Sequence, residues 1–255
     1  MTSRWVCVLF TAALALVTSA LTANQPPGAK IDEKAAAAMK AMGAFMSNLK
    51  EFALEAEETI DEFHENGMKV QMSQLRRALV CRPCGIHATV VGDGLDRCFF
   101  YNGKTATIFE RDKNMYITVP VADTIEKMMD ELNQKFEVTV PLAELLMNKP
   151  DAMMLEKVDA AYYLGEHVVD GVKCHHIACS QKEVDWQVWI ETGTKPLPKK
   201  LVITYKRARG EPQYMAVIKK WDLSPKMDKG CFDFTAPKGA MKMDHWNPKG
   251  DTKDK

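Results

Sequence analysis

The chain has 255 residues, 46% hydrophobic and 27% charged, which excludes a disordered or collagen-like polymer. Lysine plus arginine and aspartate plus glutamate both number 34, so no net charge draws the chain to nucleic acid. The length suits a single β-rich domain of about 200–250 residues as well as two smaller domains.

Arg4 precedes an apolar run from Trp5 to Val17, broken only by Thr11, and small residues follow. This order predicts a secretory signal peptide over residues 1–23, with cleavage after Ala20 or Ala23. The run is too short for a membrane span of about 20 apolar residues. Asn24-Gln25-Pro26-Pro27-Gly28 reads as a linker over residues 24–30. No later stretch reaches transmembrane length, so the mature protein is expected to be exported and soluble.

Asp32 is placed to cap a helix whose apolar stripe runs through Ala35, Ala38, Met39, Met42, Phe45, Met46 and Leu49. Gly43 interrupts the stripe at some cost. From Lys50 the period becomes two: Phe52, Leu54, Ala56 and Ile60 alternate with polar residues. Asn66-Gly67 predicts a hairpin turn, and further turns at Gly92-Asp93-Gly94, Asn102-Gly103 and Asp112-Lys113-Asn114 divide six short strands.

The middle is helical. Asp123-x-x-Glu126 reads as a capping box ahead of Ile125, Met128, Met129, Leu132 and Phe136. Pro141 and Pro150 each begin a short helical segment, the second containing Met153, Met154 and Leu155. Strands resume over Ala160–Val168, Val172–Ser180, Val184–Glu191, Lys199–Arg207, Pro212–Trp221 and Cys231–Phe234. Residues 238–255 read as a disordered charged tail. The order predicts an α+β, mainly antiparallel β fold of about eleven strands over residues 31–237. Its helices are expected to bury their methionine stripes on the concave face of a curved, part-closed sheet.

Several segments resemble a known family. They include Phe100-Tyr101-Asn102-Gly103-Lys104-Thr105, Pro141-Leu142-Ala143-Glu144-Leu145-Leu146, and Asp170-Gly171-Val172-Lys173-Cys174-His175-His176. Val184-Asp185-Trp186-Gln187-Val188-Trp189-Ile190, the run Leu197–Lys206 and Trp221-Asp222-Leu223-Ser224-Pro225 belong to the same set. Together they resemble the bacterial predicted periplasmic proteins catalogued as domain of unknown function 2092. That family is similar in fold to the lipoprotein carriers LolA and LolB and to LppX. The resemblance implies a periplasmic location, an unclosed half-barrel with helices as a lid, and an apolar cavity. Cys81-Arg82-Pro83-Cys84 departs from the basic, cysteine-free strand expected there.

Of seven cysteines, Cys7 lies in the leader, leaving Cys81, Cys84, Cys98, Cys174, Cys179 and Cys231. An exported chain permits disulfides, and the sequence leaves the pairing open. Cys81-x-x-Cys84 has redox or metal spacing, but it falls between strands and lacks a helix N-terminus to stabilise a thiolate. In a strand, Cys174 and His176 share a face while His175 points away, so that cluster is at most half a metal site. No nucleophile elbow, phosphate loop or zinc-protease helix is present in the sequence.

The reading is therefore a non-enzymatic periplasmic binding protein with no cofactor, no metal and no catalytic residue. The proposed ligand is a lipid, an acyl chain or a lipidated protein. Met39, Met42, Met46, Met128, Met129 and Leu132 on the helices, with Phe52, Leu54 and Trp186 on the sheet, are the expected walls of its cavity. The alternatives are an envelope regulatory or interaction module with a protein partner, or a metal- or thiol-dependent envelope protein using Cys81, Cys84, Cys174 and His176.

Overall fold

A computed structural model describes residues 30–64, 66–136 and 143–244. The signal-peptide expectation and most of the linker lie outside these residues. In chain order they form β1 (Lys30–Ile31), α1 (Glu33–Asn48), β2 (Glu51–Phe63), β3 (Lys69–Cys81), β4 (Gly85–Gly92), β5 (Leu95–Tyr101), β6 (Thr105–Glu110) and β7 (Met115–Pro120). Then come α2 (Ile125–Phe136), α3 (Ala143–Leu146), α4 (Pro150–Leu155), β8 (Ala160–Val169), β9 (Val172–Ser180), β10 (Val184–Glu191), β11 (Pro198–Tyr205), β12 (Gln213–Asp222) and β13 (Met241–Lys242). Among the described residues, the 13 strands follow the hydrogen-bonded order β1-β8-β9-β10-β11-β12-β2-β3-β4-β5-β6-β7-β13, and the sheet is not closed.

The chain divides into two compact units. The first holds Leu49–Ala143 and the chain from Lys219 onward. In it, β2 to β7 form an antiparallel meander in sequence order, as the period-two pattern predicts. Gly67, at φ 82°, supplies the positive φ that the first hairpin turn needs. Register places Phe52, Val80, Ile86 and Tyr101 on one face, and all four are buried. The same face buries Glu58, whose carboxylate accepts from Gln74 and from Arg76 Nη2 at 3.0 Å, so its charge is paired. α2 begins one residue later than the capping box implies. Thr124, not Asp123, accepts the Lys127 N–H, at 3.4 Å, because Asp123 instead pairs with the Lys127 ammonium.

The opposite face of this unit carries a C-terminal segment. The expected strand over Cys231–Phe234 is a turn, held by Cys231 N–H to Asp228 O (3.1 Å) and Asp233 N–H to Gly230 O (2.9 Å). Its alternating Phe232 and Phe234 imitate strand periodicity, but their rings serve as plugs. Phe234 lies 5.0–5.5 Å from the rings of Phe100, Phe109 and Tyr116. A Cβ on Gly85 would come within 2.3 Å of Phe232. Beyond the turn, inside the segment read as tail, β13 pairs in parallel with β7. A two-residue strand leaves no periodic trace in sequence.

The second unit includes α1 and the chain from Glu144 through Ile218. Asp32 caps α1 as expected, accepting the Lys34 N–H at 2.8 Å. α1 packs on α4, β8 and β10. Gly43 interrupts the apolar stripe for a packing reason: a Cβ there would stand 2.1 Å from the Asp151 carboxyl carbon. Ser47 Oγ, which donates to the backbone, is 2.7 Å from Gly43 O and 2.5 Å from Asn148 O, joining α1 to the start of α4.

Candidate functional site

Strand alternation builds the apolar floor of the second unit. Trp186, Val188 and Ile190 of β10 are buried on one face. Trp186 pairs with Cys179 of β9 and Ile203 of β11, and Val188 pairs with Ile177 and Leu201. α4 borders this floor. Met153 and Met154, with Val184, Trp186, Leu201 and Ile203, line a pocket of about 140 Å³. Glu156, Lys157 and Gln181 complete its lining. The Gln181 side-chain amide reaches Met154 O at 3.5 Å. The site therefore has an apolar interior, a polar margin and a wall made of unbranched thioethers.

That wall is a short helix. α4 has six residues, begins at Pro150 and has no side-chain hydrogen bond at its N-cap, Lys149. Proline at the first position lacks the N–H that a cap would otherwise satisfy. Gly43 of α1 lets Asp151 of α4 approach closely, and Ser47 Oγ reaches Asn148 O just before α4 begins.

The residues expected to form the cavity fall in both units. Trp186 lines the pocket. Met39, Met42 and Met46 of α1 are 0% exposed and sit in the second unit with Ala35 and Gly43. Met128, Met129 and Leu132 of α2 are buried in the first unit. Phe52, also in the first unit, packs against Trp221 at 5.8 Å and under the Arg82 guanidinium at 5.0 Å. Leu54 borders a cleft on the first unit's sheet. Sequence reasoning passed over Met153, Met154, Val184, Leu201 and Ile203 as wall residues. Each lay in an element correctly read as apolar, but their convergence depends on strand pairing rather than on spacing.

The other face of β9 and β10 carries the histidine cluster. His176 stacks on Trp189 at 3.9 Å between ring centres, and its Nε2 lies 3.0 Å from Gln187 Oε1. Its Nδ1 lies 2.9 Å from His167 Nδ1. Burial pulls the His176 imidazole below its ordinary range. His175 points the other way, 2.9 Å from the Tyr163 hydroxyl. Beneath the cluster, burial pushes the Cys174 thiol up to about 11, and the Cys179 thiol on the opposite face rises to about 12. Neither is a nucleophile near neutral pH. Cys81 and Cys84 form a disulfide with each other, which removes both from the thiolate set that a metal or thiol chemistry would use. Among the described residues, no group of three or more His, Cys, Asp or Glu side chains is placed to hold a metal ion. None of the described helices is long and apolar enough to cross a membrane.

The family model described as "Predicted periplasmic protein (DUF2092)" matches residues 35–245. Among solved structures, an uncharacterised conserved protein from Thermus thermophilus is similar over 83% of this chain and 99% of its own, at 9% identity and TM-score 0.50. Lipoprotein LppX of Mycobacterium tuberculosis is similar over 77% of this chain and 100% of its own, at 14% identity and TM-score 0.44. A LolA superfamily protein from Nitrosomonas europaea is similar over 77% and 96%, at 7% identity and TM-score 0.38. No curated protein sequence matches this chain. At such identities the likeness concerns the fold alone.

Proposed function

Starting from the premise that this chain belongs to the DUF2092 family of predicted periplasmic proteins, we propose that it binds the acyl chain of a lipid or lipidated protein between α4 and the floor formed by β10 and β11. The protein performs no chemistry on that ligand. The observation that carries this reading is the apolar pocket behind Met153 and Met154. Its volume, about 140 Å³, is close to the ~150 Å³ that accommodates a benzene-sized group. It is well below the roughly 300–1,000 Å³ of a site that engulfs a whole small molecule. The pocket therefore admits the end of a hydrocarbon chain, and a longer stretch requires α4 to move outward.

Each methylene transferred from water to this site contributes about 0.8 kcal/mol. Two flexible thioethers supply a wall that adapts to chains of different length. α4 is short and has no side-chain hydrogen bond at its N-cap. α4 acts as the lid in this reading, while α1, with Met39, Met42 and Met46, is its anchored support.

The test is quenching of tryptophan fluorescence by fatty acids brominated at the terminal methyl. Wild type is expected to quench and Trp186→Phe to lose most of that signal. Met154→Glu is expected to weaken affinity at least tenfold while leaving the fold intact, since Met154 is only half-buried. Quenching that is unchanged in Trp186→Phe, or absent in wild type, overturns the reading.

A further inference from the structure

The first unit holds a larger, chemically different recess. On the sheet face opposite Phe52 and Val80, register aligns Ala53, Leu79 and His87 in one row and Glu55, Arg77 and Thr89 in the next. Lys220 and Asp222 of β12 complete the lining of a cleft of about 420 Å³. This volume lies inside the range of small-molecule sites.

Its donors are unevenly used. Arg77 gives only its Nε–H to Glu55 Oε2, at 2.6 Å, so its terminal amino groups are unengaged among the described residues. The Lys220 ammonium and the Thr89 hydroxyl have no hydrogen-bond or ion-pair partner among the described residues. The His87 imidazole stacks on Phe100 at 4.3 Å, and its ring nitrogens have no hydrogen-bond partner among the described residues. Two carboxylates share the cleft. Glu55 pairs with Arg77, and Asp222 Oδ1 accepts the Ser224 N–H at 3.0 Å.

The Arg77 terminal amino groups, the Lys220 ammonium, the Thr89 hydroxyl and the His87 imidazole thus border an apolar row, with Glu55 already taken up by the Arg77 Nε–H. We infer that this cleft is a second ligand site, for a small amphiphile with an anionic oxygen head group on a short apolar body. The head group takes hydrogen bonds from Arg77, Lys220 and Thr89, and the body lies over Ala53 and Leu79. A carboxylate and a phosphate ester share this chemistry. The planar guanidinium can engage either through two parallel N–H groups.

The experiment titrates the full mature chain with octyl phosphate, octanoate, octanol and inorganic phosphate by calorimetry, and follows the His87 ring proton by NMR. Octyl phosphate or octanoate is expected to bind at least tenfold more tightly than octanol and inorganic phosphate. The ratio of the first two names the head group. Lys220→Glu and Arg77→Gln are each expected to weaken that binding at least fivefold, and both sites are exposed enough to leave the fold unchanged. Met154→Glu is expected to leave it untouched, which separates this site from the pocket behind α4. Equal binding of octanol, equal binding of inorganic phosphate, no binding, or binding insensitive to both charge variants overturns the inference.

Discussion

The second unit uses methionine in two opposite ways. Met39, Met42 and Met46 of α1 have no exposed surface. Met153 and Met154 of α4, the helix packed against α1, are half-buried and line a pocket. The residue type is the same, and burial is what differs. A thioether surrounded on all sides fills space. The same thioether with one side open can follow a ligand. α1 has 16 residues and a side-chain N-cap; α4 has six residues and none. Length and capping differ in the same direction, which is what the proposed division between a fixed α1 and a yielding α4 requires.

The strongest way to break this comparison is Met42→Ala. If α1 is packed core, truncation costs about 2–5 kcal/mol of stability, read from denaturant unfolding. A loss under ~1 kcal/mol would place α1 with α4 on the yielding side.

Gly43→Ala probes the joint between the two helices. Alanine gains about 1 kcal/mol of helix propensity. Its methyl must displace Asp151 from 2.1 Å, an overpacking that costs about 1–3 kcal/mol. The expected result is a net loss of stability, reduced when Asp151→Gly is added. Additivity of the two substitutions would show that the joint is not where α4 is held.

A third test leaves both helices alone and asks what the sheet contributes. Burial lowers the His176 pKa, so the folded state holds the neutral ring and the unfolded chain takes up the proton first. That stability is fully present above the ordinary value of 6.5 and is lost as pH falls from there through the lower folded value. The melting temperature is expected to fall between about pH 7 and pH 5, and to fall less in His176→Gln. Burial and nearby Arg111 lower the His87 pKa too, so some acid sensitivity should survive in that variant.

The smallest expected effect is on α4 itself. Met154→Ala should cost under ~1 kcal/mol, because a pocket-lining side chain has fewer packed neighbours to lose. Its affinity for brominated fatty acid should nonetheless fall several-fold. A stability loss matching that of Met42→Ala would erase the distinction between the helices.

Much of the frame was legible in the residues. The strands Val172–Ser180 and Val184–Glu191 run from end to end as their alternation predicts. The α1 stripe and its Asp32 cap follow from helical spacing. What escaped depends on distant partners. Gly43 reads as a defect until Asp151, far along the chain, stands beside it. Cys231-Phe232-Asp233-Phe234 has strand periodicity, yet the Phe234 ring packs on Phe100, Phe109 and Tyr116, Phe232 lies against Gly85, and the backbone turns. The pocket combines a helix after Pro150 with two strands 30 to 50 residues later, a union no local pattern encodes.

The C-terminal plug has a consequence for timing. The first unit combines residues from Leu49 to Ala143 with others from Lys219 onward, and the rings of Phe232 and Phe234 lie far along the chain from the strands they pack on. A ribosome or an export channel releases the chain from its N-terminus. Until Phe234 emerges, the surface that Phe100, Phe109 and Tyr116 present to it stays uncovered. The unit cannot complete itself during transit. For a member of a family of periplasmic proteins, the first unit is thus incomplete for as long as Tyr116 has left the ribosome and Phe234 has not.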